Sequence, residues 1–113
     1  MSEYGKEKRK LLRRKLNLDG YYFTHSVHDP LGKIERAVVK DLSAGGCRLS
    51  LADNHGLHLN DSITLSFRLD DAERTKIQKE AVVIRVDGNF VSCKFESEFN
   101  KDIWLYIHGE ISK

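Results

Sequence analysis

Near the middle of the chain, Asp41-Leu42-Ser43-Ala44-Gly45-Gly46 combines a carboxylate, a hydroxyl and two glycines. It separates two runs with strand character, Ile34 to Lys40 and Cys47 to Leu51. Asp41 accepts two hydrogen bonds, and Ser43 both donates and accepts. Gly45 and Gly46 permit positive φ and carry no Cβ, so another molecule can approach the backbone closely. The same residue types also build an ordinary hairpin turn. Upstream, Lys8-Arg9-Lys10-Leu11-Leu12-Arg13-Arg14-Lys15 is strongly cationic, and Arg9 and Arg13 form an RxxxR pair. Met1 to Asn17 holds seven Lys or Arg against two acids, while the rest of the chain holds twelve against fifteen. Basic arms of this kind often meet phosphates, although charge alone does not separate such an arm from a solvated tail.

Other reactive residues lack the constellations that chemistry needs. His25 and His28 are three apart on a predicted strand, which places them on opposite faces. His55 and His58 fall in a loop with no third and fourth ligand nearby, so no metal is expected. Ser43 has no base and no oxyanion hole around it to make it a nucleophile. Asp70 and Asp71 are adjacent in a polar loop and read as solvated charge. Cys47 and Cys93 fall in alternating strands and read as buried thiols of a reducing compartment. The expectation is a protein without catalytic activity, metal or cofactor.

The elements that must position the turn are short strands. Leu16 to His28 reads as the first, with a bulge or bend at Asp19-Gly20. A turn at Asp29-Pro30-Leu31-Gly32 reverses the chain. Ile34 to Leu42 is the second strand, and Cys47 to Leu51, with Arg48 on its wet face, is the third. Ile63, Leu65, Phe67 and Leu69 alternate cleanly with polar residues. Ile77 to Val86 and Phe90 to Phe95 flank Asp87-Gly88-Asn89, a hairpin signal. Then the period changes: Phe99, Ile103, Ile107 and Ile111 recur every four residues and predict a helix, with Ser97 as its N-cap and Glu98 and Asp102 near its positive end. Trp104 and Tyr106 lie off that stripe, as a second packing surface or a partner surface.

The pattern predicts one mostly β domain: a six-stranded antiparallel barrel with a C-terminal α-helix over one opening. With 113 residues, 40% of them hydrophobic, the chain is long enough for a modest core. Residues 1–15 read as a flexible basic arm without a core-facing pattern, and residues 16–113 as the barrel and helix. No run approaches the length needed to span a bilayer, and no leader pattern opens the chain, which points to the cytoplasm.

Arg9 and Arg13 as RxxxR, followed by Asp41, Ser43 and Gly46 as D/N-x-S-x-x-G, resemble the PilZ domain family, from Lys8 to the C-terminal helix. That family binds cyclic di-GMP (c-di-GMP), a bacterial second messenger. The resemblance implies a six-stranded barrel with the nucleotide outside it, between the arm and the Asp41 turn. It assigns the ligand to Lys8, Arg9, Arg13, Arg14, Asp41, Ser43, Gly45 and Gly46. Arginine forks pair with guanine O6 and N7, stack on bases and hold phosphate oxygens. Asp41 would accept from guanine N1 and N2 hydrogens, Ser43 would bond base or phosphate, and Gly46 would leave room for the nucleotide. Lys8, a cation just before Arg9, points to two ligand molecules per chain. The chain then acts as a standalone receptor or adaptor that changes its arm on binding and signals to an unidentified protein. Two alternatives are a small barrel that stacks single-stranded nucleic acid on Tyr21, Tyr22 and Phe23, and an interaction module that uses Trp104 and Tyr106 without a nucleotide. The net negative body argues against the first.

Overall fold

A computed structural model describes residues 13–24, 34–97 and 99–112. The six strands are β1 (Arg14–Thr24), β2 (Ile34–Ser43), β3 (Gly46–Ser50), β4 (Ser62–Arg68), β5 (Lys76–Asp87) and β6 (Phe90–Phe95), followed by helix α1 (Lys101–Ser112). They close into a barrel in the order β1-β2-β3-β6-β5-β4, and every neighbouring pair is antiparallel. Closure leaves no sheet edge exposed. The predicted turn from Asp29 to Gly32, with His25 and His28, and the arm through Leu12 lie outside the described residues.

Alternation along the strands decides what is inside. Cys47 and Leu49 of β3, Ile63, Leu65 and Phe67 of β4, and Val91, Cys93 and Phe95 of β6 are buried, with Arg48, Arg68 and Lys94 exposed between or beside them. Each fully buried Leu, Ile, Val or Phe side chain contributes about 1.5–3 kcal/mol. From α1, Ile103 and Ile107 close one opening of the barrel and join this core.

Three local expectations are corrected. The first strand begins at Arg14, not Leu16, because Arg14 and Lys15 continue the ladder opposite Leu42 and Asp41. Its irregularity lies between Lys15 and Leu18, and Gly20 is paired on both sides without interruption. The helix starts at Lys101, so Ser97 is not its cap and Phe99 is not on its stripe: Phe99 is 52% exposed. Asn100 holds the cap position instead. Its carbonyl accepts from Trp104 N–H, and its buried side-chain amide donates to Ser97 O and Ala44 O. Asp102 sits in the first turn, where the helix dipole favours a carboxylate.

Candidate functional site

The Asp41–Gly46 stretch is the end of β2, a two-residue loop and the start of β3, with Ser43 paired to Gly46. Ser43 closes the turn on itself. Its hydroxyl accepts from the N–H groups of Gly45 (3.3 Å) and Gly46 (3.2 Å) and donates to Gly46 O (3.3 Å). Neighbouring elements bolt the loop down. Gly45 O accepts from Phe95 N–H at 2.9 Å, and Ala44 O accepts from both the backbone and the side-chain amide of Asn100 at 3.2 and 2.8 Å. Neither Gly45 nor Gly46 adopts positive φ. Gly46 is required by close packing: a Cβ there would stand 2.3 Å from Cys93 O. The bare side of Gly46 is therefore filled by β6 rather than left for a ligand.

Asp41 lies three residues before that loop. It faces Lys15 across β1 and Arg48 across β3. A register shift between Val39 and Asp41 marks a bulge here, a device that re-aims side chains. The Asp41 side chain is only 12% exposed, and its Oδ2 is 3.6 Å from Arg48 Nη1. Arg48 in turn lies over the Phe90 ring, 4.5 Å from its centroid. The sequence puts Arg48 on a wet face without singling it out; only the register shows that it stands opposite Asp41. Arg13, which is exposed, immediately precedes β1. Arg14 pairs with Leu42 and Lys15 with Asp41, so the ladder that Arg13 leads into reaches the Asp41 turn. Lys8 and Arg9 lie outside the described residues.

The turn and the basic segment are thus neighbours through strand pairing, and a family model for the PilZ domain matches residues 8–105. The chain belongs to the PilZ domain family. Among solved structures it is similar to that of the Bacillus subtilis inhibitor of motility MotI/DgrA, with a TM-score of 0.75 and 22% identity over 93% of this chain and 52% of that one. The chain thus spans about half the length of the MotI/DgrA chain. It is also similar to the PilZ domain of CeSA from a cellulose-synthesising bacterium, with a TM-score of 0.65 and 14% identity over 90% of this chain and 99% of that one. No curated protein matches the sequence.

Within this PilZ barrel the remaining candidates separate clearly. Arg14, expected among the ligand's cations, points the other way along the alternation. Its guanidinium lies 5.0 Å from the Tyr106 ring centroid and 3.9 Å from Asp70, whose other carboxylate oxygen accepts from the Tyr106 hydroxyl. This network ties β1 and the β4–β5 connection to α1. Tyr106, read as a possible partner residue, is buried at 8% exposure. Trp104 is half-buried and stacks on His108 at 4.0 Å, with Phe99 6.2 Å away on its other contact. Of the aromatic run on β1, Tyr22 is buried, which removes it from any base-stacking surface.

His55 bonds Gly88 O and the Leu57 amide, while His58 sits 3.9 Å from Asp61. Among the described residues no three His, Cys, Asp or Glu side chains cluster to hold a metal. Cys47 and Cys93 face each other across β3 and β6. The Cys47 thiol's hydrogen bond with Cys93, together with burial, pushes its pKa up, so it remains an unreactive thiol. A groove of about 490 Å³ lies across β1 from Asp41, lined by Asp19, Tyr21, Arg68, Asp70, Arg74 and Lys76 among others. Its charges are mixed, and it contains neither Asp41 nor Ser43.

Proposed function

We propose that this PilZ domain is a cyclic di-GMP receptor without catalytic activity. The observation that supports the reading is the β1–β2 register, which pairs Arg14, the neighbour of Arg13 of RxxxR, with Leu42 and sets Lys15 directly opposite Asp41. Two phosphodiesters bring two negative charges to that cationic edge. Asp41 is a carboxylate with little exposure, suited to accept from the guanine N1 and N2 hydrogens. Ser43 is satisfied within its own turn, so its part is to hold the turn's shape, and any bond to the ligand trades against an internal one.

Arg9 and Arg13 clamp the nucleotide from the arm, with Lys8 as a further cation. Binding draws residues 8–13 onto the turn, and that rearrangement is what a partner protein reads. The partner is a protein because a receptor without chemistry must act by contact; similarity to an inhibitor of motility supports this mode. A reducing, cytoplasmic setting fits the opposed thiols.

Calorimetric titration with cyclic di-GMP, and with GTP and a short RNA as controls, tests the reading. Arg9→Ala, Arg13→Ala and Asp41→Ala should each lose about 2–5 kcal/mol of binding, roughly 30-fold to several thousand-fold in affinity, with the urea unfolding transition kept. An Arg13→Ala protein that binds within about threefold of the wild type overturns the site. The same titration reads stoichiometry, expected at two ligands per chain and shifted toward one by Lys8→Ala.

A further inference from the structure

Beyond Asp41, the strand register continues as one row around the barrel wall: Lys15, Asp41, Arg48, Ser92 and Arg85, one residue from each of five strands. Neighbouring strands are about 4.8 Å apart, so Arg48 stands one step from Asp41 and Arg85 about 14 Å away. Phe90 lies diagonally beside Arg48 on β6, two residues before Ser92, and is itself 38% exposed. The Arg48 guanidinium carbon lies over this ring, 4.5 Å from its centroid, while the side chain stays 44% exposed. The guanidinium is thus supported by the ring and still partly open to an incoming group. Its contact with Asp41 is 3.6 Å, too long for a good hydrogen bond and easily exchanged.

We infer that Arg48, laid on Phe90, is a second subsite for the nucleotide: the plane on which the purine base stacks while Asp41 receives the base's edge. This inference rests on the reading of the protein as a cyclic di-GMP receptor. Arginine suits the role because its guanidinium is flat, weakly hydrated and stacks on aromatic faces, whereas lysine is a compact, strongly hydrated point charge. Phe90 steadies the guanidinium and restricts the freedom that a solvated arginine would lose on binding. Arg85, further along the row, adds attraction for phosphate without fixing geometry.

The full chain, titrated calorimetrically with cyclic di-GMP, decides the matter through Arg48→Ala, Arg48→Lys and Phe90→Leu. Stacking of one base is worth about 5- to 100-fold in affinity. Arg48→Ala should therefore weaken binding about tenfold or more. Arg48→Lys should fall nearly as far, because it keeps the charge opposite Asp41 but loses the plane. Phe90→Leu should lose about threefold by freeing the guanidinium. Should Arg48→Ala fail to show a cooperative unfolding transition, the two conservative variants carry the test. Arg48→Lys binding within twofold of the wild type overturns the platform, because charge alone then suffices. Tighter binding by Arg48→Ala also overturns it and makes Arg48 a competitor for Asp41. A wild type that binds no cyclic di-GMP sinks the receptor reading itself, a result distinct from equal binding by wild type and variants.

Discussion

The β2–β3 and β5–β6 hairpins look alike in sequence and differ in what holds them. Each has a two-residue loop containing glycine, Ala44-Gly45 in one and Gly88-Asn89 in the other. In β5–β6, Gly88 has φ +62°, and a Cβ there would meet nothing within 4 Å. Positive φ at only the first loop residue is the pattern of a type II′ turn, and glycine serves the conformation. That loop is tied down from outside, by Leu51 N–H to Asn89 O and by the His55 ring to Gly88 O. In β2–β3 no positive φ occurs. Ala44 is buried, and its carbonyl is held from the cap of α1. The glycine at this hairpin's base makes room for the β6 backbone. The comparison teaches that the motif glycine at Gly46 is a packing residue: it lets β6 and α1 clamp the turn, and the clamped turn presents Asp41 from a rigid base.

Swapping the glycines strains this comparison most. Gly46→Ala drives a methyl against a backbone carbonyl, which cannot swing aside as a side chain would. We expect a loss of about 3 kcal/mol. Gly88→Ala meets open space and bears only the left-handed backbone, about 1 kcal/mol. Urea unfolding of both variants measures the difference, and equal losses would show that Gly46 also serves conformation. The two asparagines come next. Asn100→Ala strips one of two donors from Ala44 O and leaves Ser97 O without this partner, at about 1–3 kcal/mol. Asn89→Ala acts on an exposed side chain bonded to Asp53 and should stay within about 0.5 kcal/mol. Equal effects here would mean that the Ser43–Gly46 turn is not anchored by the helix cap.

Much of this was legible in the chain itself. Alternation in Ile63–Leu69 and the glycine signals at Gly46 and Gly88 mark strands and turns, because each residue's face follows from period two. The pairing of Asp41 with Arg48 was not legible, since it depends on a bulge that shifts register by one residue and no local pattern announces it. The true start of β1 was hidden for a related reason. Arg14 and Lys15 look like the end of a basic arm, yet the strand is fixed by the β2 backbone opposite, and the alternation then sends Arg14 toward Tyr106 and Lys15 toward Asp41. Asn100 was missed as the cap because Ser97 fits the preference equally well; what decides is the Ala44 carbonyl, distant in sequence and adjacent in space.

The β4–β5 connection offers a third way to hold a turn, and the smallest expected effect. Here a carboxylate does the work from within. Asp71 accepts from the Thr75 hydroxyl at 2.6 Å and the Thr75 amide at 2.9 Å, across a turn where Arg74 takes φ +53°. Those bonds, the hydroxyl's foremost, favour the charged form and hold the Asp71 carboxyl below its ordinary range. A lowered folded pKa means that the unfolded chain binds the proton more readily. The contribution is therefore complete above the ordinary Asp value of about 3.9 and is lost as pH falls through the folded value. Thr75→Val removes the hydroxyl bond and should move the Asp71 titration, followed by carboxyl-carbon NMR, back toward the ordinary range. Its destabilisation in urea should be present at pH 6 and shrink at pH 3, where wild type and variant both carry a more protonated Asp71. Subtracting variant from wild type cancels the acid response of carboxylates that the substitution leaves alone. A wild-type-minus-variant difference that holds constant down to pH 3 would show that Thr75 acts through its packing and not through the Asp71 charge.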